Sequence, residues 1–189
     1  MNTPSLMQQA LGPQWENLPS ALQKHYQADR HTDRGTLAIE YPGFMQVPLN
    51  LLHRIGALLH RRAQDVPTTV EKWMDGHTQH WQRTISFSDG RNIHFKSHWQ
   101  HAGGNELIEY VNPFLGLRMA VRVDEDKLHY TGRSFVIRLG PVKLPLPECL
   151  LGHTTITETA LDDGRFAMDF RLRHPLFGQI YRYAGTFHV

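Results

Sequence analysis

"RFAMDFRLRH", residues 165–174, sets Phe166, Met168, Phe170 and Leu172 on one side and Arg165, Asp169, Arg171 and Arg173 on the other. A period of two is the geometry of a strand with one face in a core and the other in solvent. The same rhythm holds from Val66 onward, where apolar residues alternate and turn residues recur about every ten to twelve positions. It predicts strands over 67–74, 78–87, 92–100, 105–112, 117–123, 127–138, 153–161, 165–173 and 179–188. The turns between them read "SDGR", "HAGGN", "NPFLG", "DEDK" and "DDGR", with Asp89-Gly90 and Asp163-Gly164 the sharpest hairpin signals. "LGPVKLPLPECLLGH", residues 139–153, carries three prolines that cannot donate to a ladder, so it reads as a loop or crossover.

A meander of eight or nine strands cannot stay flat, because long edges and one apolar face would be left bare. The expected fold is therefore mainly β (α+β), an antiparallel meander over 66–189 curled into a half-barrel or calyx-like barrel. Residues 1–65 supply two or three helices and one strand, the helices covering or plugging the sheet. In "TPSLMQQALGP" Thr3 is the expected N-cap, Pro4 the first helical residue and Gly12-Pro13 the stop. "WENLPSALQKHYQADRH" places Leu18, Ala21, Leu22, His25 and Tyr26 on one helical stripe. "RHTDRG" reads as a charged, flexible turn, "TLAIEY" as the first strand, and "VPLNLLHRIGALLHRRAQ" as a helix ending in basic residues.

At 189 residues the chain needs one domain, 1–189, and no more. Its 20 basic and 18 acidic side chains nearly balance, which is a poor nucleic-acid signature. The single cysteine, Cys149, excludes an intramolecular disulfide and is expected to be packed. Neither a signal peptide nor a stretch approaching the roughly 18 apolar residues of a membrane span is evident, so a cytoplasmic location is expected.

One strand breaks the alternation in an informative way. In "HTQHWQRTISF", residues 77–87, the apolar face runs Trp81, Arg83, Ile85, Phe87. A buried charge is costly alone, so Arg83 predicts an opposing acid, and Glu109 in "NELIEYVN" is the leading candidate. The pair is either a structural ion pair or the anchor of a ligand cavity. Trp81, Phe87, Trp99 and Tyr183 would be its walls, with His25 nearby. Gly185, beside Tyr183, marks a bend, a bulge or a close approach by a ligand or another backbone.

Other chemistry is thin. His77 and His80, or His94, His98 and His101, are spaced so that a strand cannot bring them to one ion, and no metal or cofactor is expected. No nucleophile elbow, phosphate-binding loop or dinucleotide fingerprint occurs. The arginines on the outer face of 165–174 suit plain solvation, or alternatively a phosphate or acidic-lipid patch.

"LGPQWENLPSALQKHY", "HWQRTISF" and "DDGRFAMDFRLRHPLFGQIYRYAGTF" together resemble the domain of unknown function 4166 family, over about Leu11 to Phe187. The most specific matches are Trp81, Arg83 and Phe87, then Pro175, Gly178, Tyr183 and Gly185, with His25 as a family-like histidine. The resemblance implies a fold unit with no catalytic residues to carry over. That domain is also met attached to dehydrogenase-like or membrane proteins, whereas this chain reads as a stand-alone accessory domain.

Three functions are then in view. The leading one is a protein that binds a small amphipathic or lipid-like molecule, with the question of an enzymatic role left open. The second is a protein-interaction or accessory module with a packed core and an exposed apolar patch. The third is an isomerase or cyclase-like enzyme acting on a hydrophobic substrate, with His25, Glu109 or Tyr183 as acid or base.

Overall fold

The computed structural model describes residues 4–189. Eleven strands form one antiparallel sheet: β1 His31–Glu40, β2 Ala63–Asp75, β3 Thr78–Ser86, β4 Asn92–Gly103, β5 Glu106–Tyr110, β6 Leu115–Asp124, β7 Lys127–Leu139, β8 Val142–Leu146, β9 His153–Asp162, β10 Arg165–His174 and β11 Gly178–His188. Their order is β6-β5-β4-β3-β2-β1-β11-β10-β9-β7-β8, and β6 also pairs with β7. That last pairing closes ten strands into a barrel and leaves β8 as an extra strand. The expected curled meander is thus a full barrel.

Closure is imperfect at one place. β7 pairs with β9 only over Lys127–Thr131, while Phe135–Leu139 pairs with β8 instead. The wall therefore parts between β8 and β9 toward one end. β8 corrects the expectation of a loop over 139–153: an edge strand tolerates Pro145, whose missing donor faces no further strand.

Alternation decides the faces. Phe166, Phe170 and Leu172 of β10 are buried, as are Trp81 and Ile85 of β3 and Leu37 and Ile39 of β1. Burying each large side chain contributes about 1.5–3 kcal/mol. The seam between β1 and β11 is fixed by two glycines. A Cβ on Gly185 would lie 2.0 Å from the Thr36 carbonyl oxygen, and one on Gly35 would lie 2.0 Å from that of Thr186. Of the roles expected for Gly185, close approach by another backbone is the one observed.

The helices divide between the two ends. α1 (Leu6–Leu11) and α2 (Ser20–His25) plug one end, α1 packing on β4, β5 and β6 and α2 on β9 and β10. Leu18, Ala21, Leu22, His25 and Tyr26 are all buried there, as the helical stripe predicts. Thr3 lies outside the described residues; Ser5 caps α1, its hydroxyl accepting from the Gln8 N–H while the Gln8 side chain accepts from the Ser5 N–H.

α3 (Gln46–Arg54) lies over the opposite end and is shorter than the helix expected over 47–64. Gly56, at φ 74°, takes the left-handed conformation that stops a helix, and the chain then runs irregularly into β2. The second departure is "RHTDRG", which is no turn: His31–Gly35 pairs with β2 and carries a buried Asp33 inward.

Candidate functional site

The barrel interior holds two voids. The larger, about 290 Å³, lies beneath α3 and is bounded by Phe95, Leu117, Phe135, Leu172 and Ile180 from the strands, with Met45 and Leu52 above. Leu150, Leu151 and Thr154 border it where β8 and β9 part. The smaller, about 40 Å³, lies deeper toward the plug and is lined by aromatic and ionisable groups. Glu109 and Tyr183 belong to the walls of both, so they form the floor of the apolar cavity and the roof of the polar one.

Arg83 finds the partner its position demands. Its Nη2 donates to Glu109 Oε1 at 3.2 Å and its Nη1 to Ser97 Oγ at 3.0 Å, while the Ser97 hydroxyl donates to the same Oε1 at 2.6 Å. The guanidinium also lies 5.2 Å from the Trp81 ring and 5.3 Å from that of Phe95. Burial opposes its charge, but Glu109 outweighs that penalty and raises its pKa. Arg83 is therefore ion-paired with Glu109 at 3.2 Å.

The other expected residues separate into two groups. Trp81 and Trp99 stack at 4.9 Å and line the inner void with His25 and Tyr183. Both indole N–H groups are buried without a hydrogen-bond partner among the described residues. Tyr183 stacks on Phe170 at 4.6 Å, and burial pushes its phenol up to about 12, so it stays a neutral hydroxyl. Phe87 stands apart: the Arg61 guanidinium covers it at 4.1 Å, and it borders neither void.

Beneath the inner void the plug brings a second polar set. The Tyr26 hydroxyl donates to Glu158 Oε2 at 2.7 Å and meets the Tyr130 hydroxyl. Burial, against the pull of that hydrogen bond and of Lys72, raises the Glu158 carboxyl to about 7. Nearby, Asp33 Oδ2 accepts from Lys72 Nζ at 2.7 Å and lies 2.6 Å from His25 Nδ1, with His31 Nε2 2.8 Å from Oδ1. Burial works against the Asp33 carboxylate, and these donors overcome it and hold the group well below its usual range. Burial lowers Lys72 to about 8, and burial with the Lys72 charge lowers His25 to about 4. At neutral pH Arg83 and Lys72 thus face Asp33 and Glu109, with Glu158 titrating between them.

Asp33, Lys72, Ser97, Tyr130 and Glu158 are the residues that sequence reasoning passed over. The signal was available, because Lys72 follows Val66, Thr68 and Val70 at period two, as Glu158 follows Thr154 and Ile156.

Outside the barrel two of the three arginines of β10 are paired, Arg165 with Asp162 at 2.6 Å and Arg171 with Asp169 at 2.6 Å. Asp169 and Glu40 also hold Arg182 of β11 at 2.9 and 3.2 Å. Cys149 is exposed rather than packed, because the short 3₁₀ turn that carries it lies on the surface after β8. Among the described residues no helix is long and apolar enough to cross a membrane.

A closed antiparallel barrel, plugged at one end and holding an apolar cavity over an ion-paired floor, is compatible with a ligand-binding barrel. The family model described as Domain of unknown function (DUF4166) matches residues 18–187, nearly the whole chain, and the chain belongs to that family. No curated protein matches it.

Proposed function

We propose that the barrel binds one small, largely apolar molecule with a neutral polar head, tail beneath α3 and head on Glu109 and Tyr183. The observation that supports this is the cavity of about 290 Å³ with apolar walls and two polar groups at one end. That volume is close to the lower bound of small-molecule sites, and its division into apolar wall and few polar contacts is the usual one. A fully packed core would have filled the space, since interiors seldom keep voids larger than a water.

The chemistry of the floor selects the head group. Glu109 offers an acceptor and Tyr183 a neutral hydroxyl, while the Arg83 charge is already met by Glu109 and Ser97. A carboxylate ligand would face the Glu109 charge and would have to displace it, so a hydroxyl, carbonyl or amide fits better. Should the head reach the inner void, the unpartnered indoles of Trp81 and Trp99 are the donors beside it.

Native mass spectrometry of freshly purified protein, followed by denaturing extraction, tests the reading, together with titration of a neutral naphthylamine dye. A co-purifying apolar species or saturable dye uptake is expected, and Leu117→Trp, which fills the cavity, should abolish it without unfolding the barrel. Failure of the wild type to take up either, or uptake indifferent to Leu117→Trp, would refute the proposal.

A further inference from the structure

The end of the barrel that carries α3 is apolar at its tip and basic at its rim. α3 presents Val47, Leu51 and Ile55 to solvent at spacings of four, with Val47 76% exposed. These form a stripe on the helix face opposite Leu49, which is buried. Phe44, just before the helix, lies 5.7 Å ring to ring from Phe177 of the β10–β11 turn, where the neighbouring Leu176 is 82% exposed. On the other flank the Ile55 carbonyl accepts from Asn112, which holds the turn bearing exposed Phe114, and the Phe114 carbonyl accepts from the Arg138 N–H of the β7–β8 hairpin. That hairpin adds exposed Leu139 and Val142. Four separate segments therefore lift apolar side chains around the mouth of the cavity.

The unpaired charges at this end are mostly basic; Asp89 of the β3–β4 turn is acidic and is held by Arg61 at 3.0 Å. Residues 43–62, 111–117, 135–147 and 171–178 contain no Asp or Glu, although acids make up 18 of the 189 residues overall. Arg54, Lys143 and Arg173 are exposed there and form no ion pair among the described residues. The turns at the plug end expose Asp75, Asp124, Glu125, Asp126, Asp162 and Asp163, of which Asp124 is paired with Arg122 and Asp162 with Arg165. The mouth is thus greasy with an excess of unpaired basic side chains, and the turns at the plug carry an excess of acids.

We propose that the α3 end docks on an anionic lipid surface, inserting its apolar tips while Arg54, Lys143 and Arg173 contact head groups. The inference rests on the ligand-binding reading, since it makes the docked mouth the route by which an apolar ligand enters or leaves. A membrane fits better than a protein for two reasons. The apolar groups project from a convex end, with the ligand cavity's own mouth as the concavity among them, and an interface of basic rim and shallow apolar insertion is what anionic bilayers attract. The acidic far end adds an orienting field.

The test is co-sedimentation with vesicles of phosphatidylcholine alone or mixed equally with phosphatidylserine, on wild type and on a Val47→Glu/Leu51→Glu pair. Wild type should bind the phosphatidylserine vesicles, weaken as salt rises, and bind phosphatidylcholine poorly. The double substitution, on solvent-exposed positions, should weaken binding at least about tenfold and leave dye uptake by the free protein unchanged. Lack of binding to either vesicle, or binding indifferent to the double substitution, overturns docking. So does a dimer in solution that the same substitutions dissolve, which would assign the face to a second copy of the chain. Dye uptake without vesicles reads the cavity separately: vesicle binding with no dye uptake would keep the docking surface and remove the ligand.

Discussion

Replacing Glu158 by Gln should make the protein's stability rise with pH where the wild type is flat. Glu158 is 4% exposed, and burial raises its carboxyl from 4.5 to about 7. A group raised in the fold contributes stability that is complete below its unfolded value and is lost as pH climbs through the folded one. Between pH 4.5 and 7 Glu158 should therefore cost the wild type about 3 kcal/mol. His25, also 4% exposed and lowered from 6.5 to about 4, acts in the opposite sense: its contribution is present above 6.5 and lost as pH falls through about 4. The two nearly cancel over pH 4.5–6.5. Glutamine keeps the acceptor for the Tyr26 hydroxyl but cannot ionise, so any packing penalty it brings is independent of pH. Urea unfolding of both proteins at half-unit steps, expressed as variant minus wild type, removes the His25 contribution common to both. That difference should rise by about 3 kcal/mol from pH 4.5 to 7. A flat difference would mean that Glu158 ionises as freely as in the unfolded chain. A falling one would mean that the fold stabilises the carboxylate, and either result refutes the reasoning.

Arg83→Met strands the Glu109 carboxylate and should cost about 3–5 kcal/mol in urea unfolding, whereas Arg83→Met/Glu109→Leu should recover most of that loss by removing the orphan charge. Gly185→Ala drives a methyl group into the Thr36 carbonyl and should cost about 3 kcal/mol or more, with faster amide exchange along β1 and β11 than in the rest of the barrel. Ser5→Ala removes the α1 cap and should cost about 1 kcal/mol by the same unfolding assay, without changing dye uptake in the distant cavity.

Period-two reading succeeded wherever strand partners lie close in sequence, because a hairpin's faces and turns are both local features. It therefore gave the meander, the inward Arg83 and its partner Glu109. It failed where local composition and tertiary context disagree. "RHTDRG" is charged enough to look solvated, yet Asp33 is inward because Lys72 and His25, far along the chain, meet it. The three prolines near 145 argue against a central strand and say nothing against an edge, which is what β8 is. α3 looked longer because Leu59 continues the apolar spacing of Leu49, Leu52 and Ile55, although Leu59 is buried only after Gly56 has turned the chain. Cavity and rim were illegible for a different reason: which apolar residues fill space and which surround it depends on how far the strands close.

Strand number explains why a cavity exists at all. About eight strands make a barrel whose own side chains just fill it. Ten make a wider one, and this chain fills the surplus unevenly. From the plug end, α1 and α2 push Leu6, Met7, Leu22 and Tyr26 into the bore, all at most 1% exposed. The middle is occupied by long polar side chains that pair along the wall, Arg83 with Glu109 two strands away and Lys72 with Asp33 on the neighbouring strand. Beyond them α3 rests over the other end without entering it, turning Val47, Leu51 and Ile55 outward, and the bore above Glu109 stays open. A helix that had turned that stripe inward would have packed the space and hidden the greasy face in one move. The cavity and the exposed stripe are thus two consequences of the same orientation of α3, which is why vesicle binding and ligand uptake should both change in a variant that repacks this helix.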